Sequence, residues 1–186
     1  MSRSQGRRAV IAALCGAALC CATGARGQAG VPARESAIKA AFLYKFAGFV
    51  EWPPATLRAG ESLVIGVIGA DAIAADLEQI VTGRTLEGRS VVVRRVRETD
   101  AAPPVHVLMV GTTREARARE IVAAIGGPVL VVTEQDNGLK VGAVLNFVAE
   151  EGRVRFAASV PSAEARGLRL SARLLAVAQS VEGRAR

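Results

Sequence analysis

Apolar residues between positions 36 and 50 recur at steps of three and four. Ile38, Phe42, Phe46 and Phe49 fall on one face, which predicts a helix over 36–50. Glu51-Trp52-Pro53-Pro54 ends it, because a residue before proline disfavours helix and two prolines cannot continue one. The run 63–68 is short and apolar between Gly60 and Gly69, the pattern of a buried strand. Asp71 is placed to cap a second helix to about Val81, with Ile73, Leu77, Ile80 and Val81 turned inward. Gly83 and Gly88 punctuate a loop, and 90–96 is a β-branched strand.

After Pro103-Pro104, the unbroken apolar run 105–110 fits a strand covered on both faces. Thr112 or Thr113 is expected to cap a helix to about Ile125, with Ala116, Ile121, Val122 and Ile125 inward and Gly126-Gly127 as the stop. Strands follow at 129–132 and, past a turn at Asp136-Asn137-Gly138, at 143–148. Glu150-Glu151-Gly152 reads as a hairpin turn into a strand at 153–158. Pro161 opens a short helical turn, and 170–181 reads as a last amphipathic helix. This order predicts an α/β fold: a single-domain sandwich with a mostly parallel central sheet of about five to six strands, flanked by helices, with a late antiparallel hairpin.

The first residues follow another logic. Arg3, Arg7 and Arg8 precede an apolar run over 9–22, and the small residues Thr23, Gly24, Ala25, Gly27 and Ala29 come next. That is the order of a secretory signal peptide, cleaved after Ala25 or Ala29, and the run is short for a membrane span. The expected organisation is therefore a cleaved signal over 1–29 and a mature α/β domain over 30–186, exported with no membrane insertion after cleavage. Cys15, Cys20 and Cys21 lie within the signal, so the mature chain has no disulfide, thiolate nucleophile or cysteine metal site. Cleavage after Ala29 also removes four arginines; the formal charge of +7 falls to +3, with 20 basic against 17 acidic groups.

Candidate chemistry is sparse. Gly66-Val67-Ile68-Gly69-Ala70-Asp71 lacks the third glycine of a dinucleotide fingerprint, and no phosphate-binding lysine motif is present. The single histidine, His106, stands in an apolar strand without a partner for zinc or a nucleophile-elbow serine. Glu150 and Glu151 are neighbours in a turn and point apart. Arg94, Arg95, Arg153 and Arg155 alternate outward, but only Phe156 is close enough to supply the stacking a nucleic-acid groove needs. No catalytic, cofactor-binding or metal-ligating set emerges, and the expectation is a protein that is not an enzyme, needs no cofactor and binds no nucleic acid.

The aromatic residues are unevenly placed. Five of the seven (Phe42, Tyr44, Phe46, Phe49 and Trp52) fall within one short segment. The phenylalanines read as core. Tyr44 and Lys45 lie off that stripe, and Trp52 sits in a rigid proline turn, where packing and partner contact are both open to it.

The segment Ile38-Lys39-Ala40-Ala41-Phe42-Leu43-Tyr44-Lys45-Phe46-Ala47-Gly48-Phe49-Val50-Glu51-Trp52-Pro53 resembles the opening motif of the YfiR family. Leu63-Val64-Ile65-Gly66-Val67-Ile68-Gly69, Leu86-Glu87-Gly88-Arg89-Ser90-Val91, Val105-His106-Val107-Leu108, Val129-Leu130-Val131-Val132-Thr133 and Arg153-Val154-Arg155-Phe156 are similar to later segments in the same order. Gly167-Leu168-Arg169-Leu170-Ser171-Ala172-Arg173-Leu174-Leu175 resembles its closing motif. The resemblance implies a periplasmic α/β domain that binds and restrains an inner-membrane signalling protein, a diguanylate cyclase or in some relatives a sensor kinase, through the partner's periplasmic part. Lower cyclic di-GMP and less biofilm would follow. The other reading is a periplasmic small-ligand-binding domain feeding a sensor kinase. A homodimer is left open. Motif position and expected exposure nominate Tyr44, Lys45, Trp52, Arg166, Leu168 and Arg169 as partner contacts.

Three departures from the family pattern stand out. Its disulfides are absent from the mature chain. Phe156-Ala157-Ala158-Ser159 stands where many relatives have Phe-Glu-Ile-Asn, and Val141-Gly142 where a Gly-Gly is usual.

Overall fold

The structure is a computed structural model in which residues 34–100, 104–111 and 114–183 are described. The expected signal segment, its cleavage site and the expected caps Thr112 and Thr113 lie outside the described residues.

Helix α1 (Glu35–Phe46) carries Glu35 in its first turn and Lys45 in its last, each opposing the helix dipole. A 3-10 turn (Ala47–Phe49) leads into β1 (Val50–Glu51), so the expected helix over 36–50 ends early. β2 (Leu63–Ile68) and α2 (Asp71–Val81) follow. Asp71 is the first residue of α2 rather than its cap: Ala70 holds the cap position, and Asp71 instead accepts a hydrogen bond from Arg95 at 3.2 Å. β3 (Thr85–Leu86) and β4 (Arg89–Arg95) form a hairpin where the sequence pattern predicts a loop and a strand. Its turn, Glu87-Gly88, has positive φ at both residues (50° and 76°), the geometry whose twist matches a tight hairpin.

β5 (Val107–Val110), α3 (Glu115–Ala124) and β6 (Leu130–Thr133) continue the alternation. β7 (Leu145–Glu150) and β8 (Arg153–Ser159) are the expected antiparallel hairpin, turning at Glu151-Gly152 with φ of 50° and 73°. α4 (Val160–Ala165) starts where Ser159 accepts a hydrogen bond from the Ser162 amide at 3.3 Å. Serine and asparagine share this capping ability, so Ser159 keeps the cap an asparagine would make. The chain ends with β9 (Arg169–Leu170), α5 (Ala172–Val177) and β10 (Ser180–Glu182).

The central sheet has the order β10-β8-β7-β6-β5-β2-β4-β3, and the run β7-β6-β5-β2-β4 is wholly parallel. The α/β sandwich with a late antiparallel hairpin is as expected. Its eight strands exceed the expected five to six because β3 and β10 add two short edge strands. β10 also replaces the end of the helix expected over 170–181: it pairs in parallel with β8, Ser180 opposite Ala157. Two apolar clusters hold the sheet. One joins α1, α2 and the C-terminal elements through Leu43, Phe46, Leu77, Phe147, Phe156 and Leu174. The other packs Ala118, Ile121 and Val122 of α3 onto Ile68, Leu108 and Val131.

Candidate functional site

β1 and β9 form a two-stranded antiparallel ribbon separate from the main sheet, with Val50 opposite Leu170 and Glu51 opposite Arg169. The Ser171 amide donates to the Phe49 carbonyl at 2.9 Å and extends the pairing. The segments that resemble the opening and closing family motifs, far apart in sequence, therefore meet backbone to backbone. Lys45, Glu51, Arg169 and Arg173 are exposed around this ribbon. Trp52 is half-buried and packs its ring on the main core, with its indole N–H inside the protein and no hydrogen-bond partner among the described residues. Tyr44 is also half-buried; its hydroxyl donates to the Thr85 carbonyl at 2.9 Å and ties α1 to the β3 edge.

Two of the nominated contacts, Leu168 and Arg166, are engaged within the fold. Leu168 is only 1% exposed, because the turn after α4 directs it into the main cluster, so it supports the ribbon from beneath and offers no surface. Arg166 donates to the Ile125 carbonyl at 2.8 Å and to the Val122 carbonyl at 3.1 Å. It thereby satisfies the C-terminal carbonyls of α3, and burial pushes its guanidinium below the ordinary arginine range. Arg166→Ala is expected to lower the unfolding free energy by about 1–2 kcal/mol, while Arg166→Lys regains little because an ammonium cannot span both carbonyls. Urea denaturation of the two variants measures this; a value near zero for Arg166→Ala would remove the capping role.

A second arrangement lies at the carboxyl ends of the parallel strands, where α/β sheets commonly place ligands. Lys39 of α1 reaches Glu134, just beyond β6, at 2.7 Å and Glu35, one turn back, at 2.5 Å. Burial would lower the Lys39 pKa, but the two carboxylates outweigh it and hold the ammonium above its ordinary value. Beside this trio a cleft of about 530 Å³ opens between α1 and the β7–β8 hairpin. On the α2 side, buried Asp76 accepts from Arg34 and from the Ser36 hydroxyl, each at 2.6 Å, which fixes the start of α1. Sequence reasoning passed over Lys39, Glu134 and Asp76. Only the spacing of Glu35 and Lys39, one helical turn apart, carried a signal.

His106 has a structural role. Its Nδ1 accepts from the Val64 amide at 3.0 Å, which leaves Nε2–H to donate to the Thr56 carbonyl at 3.3 Å. Glu150 faces Arg155 at 3.5 Å across the hairpin. Among the described residues no group of three or more His, Cys, Asp or Glu side chains is arranged to hold a metal ion, and no helix is long and apolar enough to cross a membrane.

No curated protein matches the chain. A solved structure described as a conserved domain protein from Vibrio cholerae O1 biovar El Tor strain N16961 is 13% identical, with a TM-score of 0.50 over 80% of this chain. The chain covers 60% of that protein's length, and the likeness is one of fold. The YfiR/HmsC-like family matches residues 36–179, from the start of α1 to the residue before β10. The span takes in both halves of the β1–β9 ribbon and every strand of the parallel run β7-β6-β5-β2-β4, and the chain belongs to the YfiR/HmsC-like family.

Proposed function

We propose that this chain is an exported regulator that binds the periplasmic part of an inner-membrane diguanylate cyclase and holds it in its inactive state. Family membership carries the reading, since YfiR/HmsC-like proteins are periplasmic regulators and not enzymes. Placement of the exposed Lys45, Glu51 and Arg169 on and beside one ribbon supports it. In this reading Lys45 and Arg169 meet the partner directly. Trp52 contributes its exposed edge, and Tyr44, Arg166 and Leu168 fix the shape of the surface.

The thermodynamics need only differential affinity. A domain that prefers the inactive partner shifts its population by that preference, and about 5.5 kcal/mol carries a two-state switch from one end to the other. The test is cellular cyclic di-GMP after deletion of the gene, with complementation by chains with and without residues 1–29. A rise on deletion, reversed only by the chain that carries residues 1–29, is the expected result. Reversal by both forms would place the action on the wrong side of the membrane. A rise in a kinase-dependent output with unchanged cyclic di-GMP would transfer the reading to a sensor kinase.

A further inference from the structure

We infer that His106 is a proton-operated latch on the β1–β9 ribbon: its neutral ring holds the turn after β1 against the sheet, and protonation releases that turn. The half-buried ring joins three segments. Its Nδ1 accepts from the Val64 amide near the start of β2, its Nε2–H donates to the Thr56 carbonyl, and its own backbone lies one residue before β5. Thr56 closes the turn that follows Trp52, where its amide donates to the Pro53 carbonyl at 2.9 Å. Pro53 also lies beside the approach to β9, since a Cβ on Gly167 would stand 3.6 Å from the Pro53 ring. The turn that His106 holds therefore leaves one strand of the ribbon and borders the other.

The sign follows from donors and acceptors. A neutral imidazole has one of each, and here both are used; an imidazolium has two donors and no acceptor. Its Nδ1–H would face the Val64 N–H across 3.0 Å, so that bond is lost and the ring is driven outward. There is room for it. Beside the ring an open groove of about 530 Å³ is lined by Glu61, Arg94, Pro104 and Pro128. Glu61 and Arg94 are the charged groups that line this groove; β2, β5 and the 128–129 segment before β6 bring none to it. The Arg94 guanidinium is held on the Pro104 carbonyl, and the Glu61 carboxylate offers the displaced imidazolium a new acceptor.

Farther along the same loop, Arg89 donates to the carbonyls of Leu57, Arg58 and Glu61. An arginine tie does not titrate in the range where imidazole does, about pH 8 to 5, so release is confined to the Trp52 end of the loop. The latch is closed above that range and open below it. That acid thereby loosens the grip on a membrane partner rests on the regulator reading; the latch itself is a property of the protein alone.

The chain has one histidine and one tryptophan, so each signal has a single source. The test follows Trp52 fluorescence, the His106 ring-proton resonance and the Val64 amide resonance of the purified protein from about pH 8 to pH 5. Trp52 emission is expected to move to longer wavelength in acid, with the midpoint of the histidine resonance, and the Val64 amide is expected to shift with both. His106→Asn keeps an acceptor near Nδ1 but takes up no proton, and its emission is expected to stay at the neutral-pH wavelength throughout. Unchanged wild-type emission while the histidine titrates would overturn the latch, as would the same transition in folded His106→Asn protein. Should that variant not fold, the wild-type midpoints decide: coincidence supports the latch and separation overturns it. No partner is present in this measurement, so its failure leaves the regulator reading standing, and failure of the cyclic di-GMP test leaves the latch standing.

Discussion

Phe46→Ala is expected to lower the unfolding free energy by about 4 kcal/mol, the range for removing a fully buried aromatic ring. Phe46 is 1% exposed and sits at the centre of four rings. It stacks on Phe42 at 5.6 Å and on Phe147 at 5.8 Å, and meets Phe156 edge-on at 4.8 Å. These contacts join α1 to both strands of the late hairpin. The loss therefore opens a cavity where three elements meet, and small domains hold only about 5–15 kcal/mol in total. Phe46→Leu, which keeps most of the volume, is expected to cost about 1.5 kcal/mol. Lys45→Ala, one position away on the exposed side, should stay within about 0.5 kcal/mol. Urea denaturation of the three variants measures the contrast. A loss below 1 kcal/mol for Phe46→Ala would mean that the four rings do not form the central packing unit.

Gly138→Ala comes second, at about 3 kcal/mol. The reason is space rather than backbone freedom, since Gly138 does not adopt a left-handed conformation. It lies in the turn between β6 and β7, over a buried polar pair. The Thr133 hydroxyl donates to the Asn146 side-chain carbonyl at 2.7 Å, and the Asn146 amide donates to the Gln135 carbonyl at 2.9 Å. A methyl group on residue 138 would overlap both the Asn146 amide group and the Thr133 hydroxyl. The pair must separate, and each buried group that loses its partner costs about 1–3 kcal/mol. Asn146→Ala made in the Gly138→Ala background removes the overlap with Asn146 and leaves only the Thr133 hydroxyl to give way, so the double variant should be more stable than the two single losses predict. Strict additivity would place the strain elsewhere.

Much of the fold was legible because its signals are local. Unbroken apolar runs such as 105–110 mark strands covered on both faces, and Glu151-Gly152 marks the hairpin. The last helix was misread for a physical reason: Leu170, Leu174, Leu175, Val177 and Val181 have helical spacing, yet Val181 pairs with Ala158 of β8. Tertiary pairing overrode periodicity there. β3 escaped notice because two residues leave no pattern and its turn opens on glutamate, a residue seldom found at positive φ.

The candidate surface was legible only in part. The motifs that flank it stand out in the sequence, but β1 and β9 are two residues each, and nothing local says that they pair. Leu168 was nominated by motif position although its apolar side chain pointed to burial. The role of Arg166 depends on carbonyls of α3, and that of Lys39 on Glu134 beyond β6. Such distant partners leave no trace in spacing.

The central claim is restraint of a membrane cyclase through the β1–β9 face. Its most direct test is cyclic di-GMP in a deletion strain that carries either the wild-type chain or the Lys45→Glu, Arg169→Glu double variant. Both positions are exposed, so the variant should accumulate and melt as the wild type does. The account predicts cyclic di-GMP as high with the variant as with no protein at all. A folded, abundant variant that lowers cyclic di-GMP as fully as the wild type would contradict it.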